Sequence, residues 1–259
     1  MTQIEAGDAA FDVAAIAFDK DGTLIDLDAA WGPAALRWVE IASGGEPTLM
    51  GDLATGLGLD LETGRLVTGG IFAVGTVAQL HETTLAILSS HGLAGEPAAT
   101  RADQARATSA LAGAEPNLVP LGEIGATFQR LSQAGLRLAI VSSDDRSAVD
   151  AAITALGVAS LVDAVVSGDE DLDPKPAPDA LLLAAVRLGV EPGQMLYVGD
   201  SWVDAAAGRA AGAAGVILVG DPPDQARHLA SVVVPGVDSI RSSRSRRTGG
   251  EGLSVSPGR

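Results

Sequence analysis

The strongest constraint on the fold is an alternation between short apolar runs and longer amphipathic stretches. Helical patterns of about 10–15 residues separate most of the runs, as βαβ units require. The runs are apolar throughout, which is typical of parallel strands covered by helices on both faces. The alternation predicts an α/β fold with a Rossmann-like three-layer α/β/α core and a parallel sheet. The six runs are VAAIAF (13–18), LRLAIV (136–141), DAVVS (163–167), MLYVG (195–199), GVILV (215–219) and SVVV (231–234).

One long segment interrupts this alternation. Between residues 27 and 118 the sequence shows helical stretches and no convincing strand of the core sheet. A helix capped by Asp28 would carry Trp31 and Trp38 on one face, seven residues apart, which favours a packed core for this segment. We therefore predict three parts: a core domain over 1–26 and 119–240, an inserted α-helical cap domain over 27–118, and a disordered basic tail over 241–259.

The charge balance limits the partners. The chain has 33 acidic and 17 basic residues, a net charge of −16, and five Arg fall within 241–259. A body this acidic repels phosphate backbones, so nucleic acid is not an expected partner. No run reaches the roughly 18 apolar residues of a membrane helix, and Cys is absent, which excludes disulfides and zinc–thiolate sites. We expect a soluble cytoplasmic protein, monomeric or homodimeric, with no membrane partner.

Polar side chains follow four of the predicted strands at the point where each strand ends. Because ligands of open parallel sheets bind beyond the carboxyl ends of the strands, these side chains are expected to meet at one rim. The only two Lys of the chain, Lys20 and Lys175, both fall there. The rim residues are Asp19, Asp21, Gly22 and Thr23 after the first strand, Ser142 and Ser143 after the second, Lys175 after the third, and Asp200 and Asp204 after the fourth.

These residue types predict a phosphoryl site. Asp19, Asp21 and Asp200 would repel one another if gathered, and a divalent cation would relieve that repulsion. Carboxylate oxygens without Cys or His favour a hard ion, above all Mg²⁺. Lys175 adds a second positive charge, while a Ser hydroxyl and the turn amides near Gly22 donate hydrogen bonds. A carboxylate screened in this way can act as a nucleophile and form an aspartyl phosphate.

The residues also resemble a known family. DKDGT (19–23), Ser142, Lys175-Pro176 and GDSWVD (199–204) are similar, in order and near spacing, to the four motifs of the haloacid dehalogenase superfamily. The resemblance covers about 1–26 and 119–240. The helical insert resembles the α-helical cap of phosphoglycolate phosphatase-like members.

The resemblance implies a catalytic role for each motif. Asp19 would be the nucleophile that attacks phosphorus. Asp21 would protonate the leaving alkoxide and then activate the water that cleaves the acyl phosphate. Ser142 would bind the phosphoryl oxygens, with Ser143 as the alternative, and Lys175 would pair with both Asp19 and phosphate.

The resemblance also implies a metal site. The carboxylates of Asp19 and Asp200 and the backbone carbonyl of Asp21 would hold Mg²⁺. Asp204 would support the metal shell, directly or through water. The residues expected to support the loop are Gly22 and Thr23.

Other residues near these motifs are interpreted as structural. The side chain of Lys20 is expected to alternate away from its two acidic neighbours and to support the loop. Asp144 and Asp145 are expected to cap the next helix. Trp31 is expected in the core of the cap, and Arg65 on the surface, with contact to a second anionic group of the substrate as its alternative.

The second carboxylate discriminates among members of this superfamily. Its dehalogenases lack that Asp, so Asp21 argues for phosphate chemistry. Its phosphonate-cleaving members use a cap lysine, and residues 27–118 contain none. We expect an Mg²⁺-dependent phosphatase of a small phosphorylated metabolite such as phosphoglycolate or a sugar phosphate. A phosphomutase is the alternative, and a non-catalytic binding protein on the same fold is a reading from another class.

Overall fold

The computed structural model describes residues 1–112 and 118–243. Its strands are β1 (Thr2–Ala6), β2 (Ala9–Val13), β3 (Ala15–Phe18), β4 (Arg137–Val141), β5 (Ala164–Val166), β6 (Met195–Gly199), β7 (Gly215–Val219), β8 (Val232–Val234) and β9 (Ile240–Ser242). Its helices are α1 (Leu27–Ser43), α2 (Pro47–Leu57), α3 (Ile71–Val74), α4 (Val77–Ser90), α5 (Glu96–Ala112), α6 (Ile124–Gln133), α7 (Arg146–Ala155), α8 (Asp179–Leu188), α9 (Trp202–Ala210) and α10 (Asp224–Arg227).

A six-stranded parallel sheet forms the centre of the molecule and confirms the predicted α/β fold. Its strand order is β5-β4-β3-β6-β7-β8, so the first strand of the sheet lies in the middle. All four residues of β3 are fully buried. They alternate between two faces: Ile16 and Phe18 pack with α6 and α7, while Ala15 and Ala17 pack with α8 and α9. Helices therefore cover both sides of the sheet, and the strand ends are left to form a site.

A small antiparallel sheet in the order β2-β1-β9 lies beside this core and was not predicted. The hairpin of β1 and β2 turns at Gly7, whose φ of 58° suits glycine. Ile4 and Val13 are fully buried in the same cluster as the central strands. Alternating apolar residues on either side of a Gly-Asp pair were the available signal for this hairpin.

Strand β9 includes residues 241 and 242, where the disordered tail was predicted to begin. Arg241 and Ser242, assigned to the disordered tail, pair with Glu5 and Ile4 of β1. The pairing supplies backbone partners that a sequence pattern of Arg and Ser does not reveal. The rest of the predicted tail, from residue 244 onward, lies outside the described residues.

Helices α1 to α5 form the insert and share a hydrophobic cluster of their own. Trp38 is fully buried there, donates from Nε1 to the hydroxyl of Thr84 (2.9 Å), and meets Phe72 edge-on at 6.2 Å between centroids. The cap of α1 is Asp26, which accepts from an amide in the first turn, and not Asp28 as predicted. The insert therefore has a packed interior separate from the faces of the sheet.

Two chain segments connect the insert to the core, and they pair with each other. The amide of Asp26 donates to the carbonyl of Val119 (2.8 Å), and that of Leu121 donates to the carbonyl of Leu24 (2.9 Å). Residues 113–117 lie outside the described residues. Over the two described ranges, no helix combines the length and hydropathy that crossing a bilayer demands.

Candidate active site

The carboxyl ends of the central strands bring sequence-predicted residues to one rim of the sheet. Asp19 follows β3 directly, and its amide donates to the carbonyl of Val198 (2.8 Å), which continues the ladder with β6. Asp200 follows β6, and Ser142 follows β4. Residues far apart in the sequence become neighbours because parallel strands end at the same edge.

Lys175 lies at the centre of the charged group. It comes from the loop between β5 and α8, and its Nζ donates to Oδ1 of Asp19 (2.5 Å) and to Oδ1 of Asp204 (2.7 Å). A third bond joins Nζ to the hydroxyl of Tyr197 (3.0 Å). Only 6% of the Lys175 side chain is exposed, so these partners replace water around the ammonium.

Asp204 anchors Lys175 and the start of α9 together. Its Oδ1 accepts from Lys175 and from the hydroxyl of Tyr197 (2.9 Å). Its Oδ2 accepts from the hydroxyl of Ser201 (2.5 Å) and from the Ser201 amide (3.2 Å), which forms a capping box. The sequence reasoning missed Tyr197. Its phenol at a buried strand position was the signal, because a buried hydroxyl needs a partner.

Burial and charge set the protonation of this group. Burial raises the pKa of Asp19 to about 7, and the carboxylates of Asp204 and Asp21 add to that effect. Lys175 acts on Asp19 in the opposite direction. Burial would lower the pKa of Lys175, but Asp19 and Asp204 hold it well above its usual range. The ammonium is therefore a permanent charge beside Asp19.

Asp200 lies against the turn that follows β3. The hydroxyl of Thr23 donates to its Oδ1 (3.2 Å). Gly22 has a φ of 78°, and a Cβ at this position would collide with the Asp200 carboxylate. Glycine is thus required here by both conformation and space. Of the two residues predicted to support the loop, Thr23 contacts the Asp200 side chain and Gly22 leaves room for it.

The crowded carboxylates fit a hard divalent cation. One oxygen each from Asp19, Asp200 and Asp204 lies within 4.8 Å of the others. Among the described residues, Asp200 forms no ion pair, whereas Lys175 serves the other two. Burial raises the pKa of Asp200 well above its usual range, and Asp204 and Asp19 add to this. An all-oxygen set with one unneutralised carboxylate suits Mg²⁺.

The structure corrects the interpretation of Lys20. Its buried ammonium contacts both carboxylate oxygens of Asp21 (2.6 and 2.5 Å) and Oδ2 of Asp144 (2.9 Å). Strand alternation does not extend this far, because the chain turns immediately and the Lys20 carbonyl accepts from the amides of Leu24 and Ile25. Lys20 therefore holds the carboxylate of Asp21 instead of pointing away from it.

Of the two residues predicted to cap α7, Asp145 occupies the N-cap position and Asp144 does not. Asp144 is buried and pairs with Lys20 instead of capping α7. Burial raises the pKa of Asp144 to about 6, with Asp21 adding to the effect and Lys20 opposing it. At the N-cap, Asp145 has the extended backbone of a cap residue, but its side chain makes no capping hydrogen bond. The first amide of that helix donates instead to Asp169 (3.1 Å).

The two serines after β4 occupy different places. Ser142 is buried, its amide donates to the carbonyl of Val166 (3.0 Å), and its Oγ accepts from the Asp144 amide (3.1 Å). Ser143 lines the same cleft as Asp19, Asp21 and Asp200. Ser142 and Ser143 both line a smaller adjoining cleft that also includes Lys175. The structure therefore brings Ser143 into the lining of the main cleft, and Ser142 into that of the adjoining one.

The insert forms the opposite side of a cleft above the rim. Trp31 lines this cleft, although we expected it in the core with Trp38. Arg65 does not line it. The Arg65 guanidinium is exposed and bonds Oδ2 of Asp28 (2.8 Å), as expected for a surface residue.

The family model of haloacid dehalogenase-like hydrolases matches residues 13–212. The chain belongs to this family. A phosphoglycolate phosphatase from Escherichia coli O157:H7 is 31% identical over 216 residues, which cover 80% of this chain and 81% of that protein. Named phosphatases of the same kind recur among the relatives, so this hydrolase is an enzyme of the phosphatase type.

Solved structures show the same fold at low sequence identity. A β-phosphoglucomutase from Clostridium difficile has a TM-score of 0.61 at 15% identity, covering 87% of this hydrolase and 92% of that chain. An L-2-haloacid dehalogenase from Xanthobacter autotrophicus has a TM-score of 0.54 at 22% identity, covering 87% and 95%. At these identities the likeness shows the fold alone, and the reaction must be argued from the site.

Proposed function

We propose that this hydrolase releases phosphate from a small phosphorylated metabolite through an aspartyl-phosphate intermediate on Asp19. One observation carries the proposal. Asp19 is buried at the end of the central strand, bonds Lys175 at 2.5 Å, and lines an open cleft together with Asp21 and Asp200. A carboxylate, an ammonium and an unneutralised second carboxylate at one point suit a phosphoryl group and its cation.

The first step would transfer the phosphoryl group to the enzyme. An Asp19 oxygen attacks phosphorus, and the bond between phosphorus and the leaving oxygen breaks. Protonated Asp21 gives its proton to that oxygen, which leaves as an alcohol. Lys20 stabilises the Asp21 carboxylate that remains, since its ammonium contacts both oxygens. Lys175 balances charge next to Asp19 throughout.

The second step would return the enzyme to its starting state. The Asp21 carboxylate takes a proton from water, whose oxygen attacks phosphorus. The bond between phosphorus and Asp19 breaks, and phosphate leaves. Ser142 or Ser143 would hold the phosphoryl oxygens, with Ser143 the one that lines the cleft.

The residues that would hold Mg²⁺ are Asp19, Asp200 and the backbone carbonyl of Asp21. Bound there, Mg²⁺ would neutralise charge on the phosphoryl oxygens and relieve repulsion between the carboxylates. Asp204 would act from behind through Lys175 and the start of α9. Thr23 would fix the orientation of Asp200.

The helical insert would act as a cap over the rim. Its cluster of apolar residues is its own, and paired segments near Leu24–Asp26 and Val119–Leu121 link it to the core. Motion about these segments would admit substrate and then exclude water. A mutase would differ in keeping water out while its substrate turns, and a binding protein would lack turnover.

The test is phosphate release with Mg²⁺ and with EDTA, for wild type, Asp19→Asn and Asp150→Asn. Asp150 is a matched control, since it pairs with Arg146 on the exposed face of α7. The panel includes phosphoglycolate, hexose and triose phosphates, nucleoside monophosphates and pyridoxal phosphate. We expect Mg²⁺-dependent release that Asp19→Asn lowers by at least about 10³-fold and Asp150→Asn leaves unchanged.

A rapid-quench experiment would then locate the intermediate by mass. A phosphate adduct on the peptide that carries Asp19 supports the proposal. Release that survives in Asp19→Asn, or an adduct on another peptide, would overturn it. An adduct without turnover would favour the mutase, and neither adduct nor release would favour the binding protein.

A further inference from the structure

The insert lines its side of the cleft with uncharged residues. Helix α1 contributes two of them, α3 and the residue after it contribute four, and α4 contributes two. The larger side chains among them are Leu27, Trp31, Phe72, Val74, Val77 and Leu80. This wall therefore offers mainly apolar surface, and its described residues carry no formal charge.

The basic residues of the insert lie elsewhere. Residues 27–118 contain four Arg and two His, and none of the six lines the cleft in the described part of the chain. Arg65 bonds Asp28, and His81 and His91 bond Asp103 and Asp52. Two more are held within the insert: Arg37 by Glu40 and Arg101 by the Ser43 carbonyl.

The core side of the cleft leaves one cation for the substrate. Lys175 is the cationic side chain that lines it, among the described residues, and Asp19 and Asp204 already bond its ammonium. The other ionisable side chains that line it are all carboxylates. A phosphoryl group and its Mg²⁺ would use these groups. A second anion on the substrate would face apolar side chains and carboxylates, where a charge is poorly solvated.

We propose, resting on the proposed function, that the substrate is the phosphomonoester of an uncharged and largely apolar alcohol. Its phosphoryl group meets the rim, and its alcohol portion packs against Trp31, Phe72 and Val77. A carboxylate-bearing alcohol such as that of phosphoglycolate is disfavoured because, over the described ranges, the insert places no cationic side chain in the cleft to meet the carboxylate. A sugar is disfavoured as well, since its hydroxyls would lose water and find few partners on this wall.

The first test is a substrate series on the wild-type enzyme with Mg²⁺. Ethyl, propyl and butyl phosphate extend the apolar portion one methylene at a time. Phosphoglycolate is ethyl phosphate with its methyl group replaced by a carboxylate. Burial of each methylene is expected to raise kcat/KM by up to about fourfold. Phosphoglycolate is expected at least about tenfold below propyl phosphate. A flat alkyl series, or a preference for phosphoglycolate or glucose 6-phosphate over propyl phosphate, would overturn the inference.

Phosphate release from para-nitrophenyl phosphate distinguishes an error in the inferred substrate class from an error in the proposed phosphatase function. The leaving group of this compound needs little recognition and no proton. Mg²⁺-dependent release from it with a flat alkyl series means that the phosphatase stands and the substrate class is wrong. No release from any compound, this one included, overturns both.

A charge placed on the apolar wall gives a second test. Val77→Lys adds an ammonium to the cleft, and should raise kcat/KM for phosphoglycolate relative to propyl phosphate by at least about tenfold. Val67→Lys is the matched control, because Val67 is 49% exposed and does not line the cleft. It should leave the ratio unchanged. An unchanged ratio in a folded Val77→Lys enzyme would count against the inference.

Discussion

The two walls of the cleft are built in opposite ways. The core wall consists of buried charges, and most of them are fixed by a specific partner: Asp19 and Asp204 by Lys175, and Asp21 and Asp144 by Lys20. The insert wall consists of apolar side chains that need no partner. Loss of one charge strands another in a low dielectric, whereas an apolar residue can be exchanged at modest cost. The core wall therefore suits the reaction, and the insert wall suits selection of the alcohol.

The largest effect that would sharpen this contrast is expected from Lys175→Met. This change leaves the buried carboxylates of Asp19 and Asp204 without their cation. Breaking a buried pair costs about 3–5 kcal/mol of the free energy of unfolding. Urea denaturation in EDTA would measure it, with Arg146→Met as the control because its pair with Asp150 is exposed.

Removing one of the stranded carboxylates gives a check on the physical cause. The double variant Lys175→Met with Asp204→Asn removes one of the stranded charges and should recover part of the loss. A loss below about 1 kcal/mol in the single variant would contradict the contrast, since the core wall would then tolerate change as the insert wall does.

The next effect, measured as a rate, is expected from Lys20→Met, which also leaves the buried carboxylates of Asp21 and Asp144 without their cation. Without its ammonium, Asp21 loses the partner that fixes both oxygens, and proton transfer to the leaving group should slow by about 10²-fold. Alkyl phosphates need that proton, and para-nitrophenyl phosphate does not. The measurement is single-turnover phosphorylation of the enzyme by each compound, with KM recorded for both.

Comparing the two leaving groups shows whether Lys20 positions Asp21 for proton transfer or only maintains the structure of the loop. We expect a loss for propyl phosphate and a nearly unchanged burst of para-nitrophenol, with partial recovery in Lys20→Arg. Equal losses for both compounds would mean that Lys20 only maintains the loop. In that case the Lys20–Asp144 pair would belong to the structure of the rim and not to its chemistry.

The core wall was largely predictable from the sequence, and the insert wall was not. Strand ends in a parallel sheet converge whatever the intervening chain does, so the position of Asp19, Lys175 and Asp200 was enough to predict that they lie together. Helical periodicity placed Trp31 and Trp38 on one face but gave no information on what each end of the face meets. Seven residues rise about 10 Å, enough to carry Trp31 from the insert's core to the cleft.

Contacts made after a strand ends were also beyond the pattern. Lys20 was assigned by strand alternation, yet the turn at Gly22 folds the backbone so that successive side chains meet. In the sequence, Tyr197 is one more residue of an apolar strand; only the structure shows that its hydroxyl bonds Lys175 and Asp204. Such contacts depend on loop geometry, which local spacing does not determine.

The smallest expected effect is a pH dependence of thermal stability that arises from the buried carboxylates of the core wall. The pKa of Asp19 is raised to about 7 and that of Asp144 to about 6. The folded state therefore binds protons that the unfolded state has released, and these groups lower the free energy of unfolding as pH rises from about 4 to 7.

Mg²⁺ is expected to bind the ionised rim of the folded state and to offset that loss of stability. The Tm difference between Mg²⁺ and EDTA should then be a few degrees larger near pH 7.5 than near pH 5, at about 2–4 °C per kcal/mol. Asp200→Asn should shrink the difference and Asp150→Asn should preserve it. A difference that is equal at both pH values would mean that the cation does not bind the buried carboxylates, and the charged wall would need another source of neutralisation.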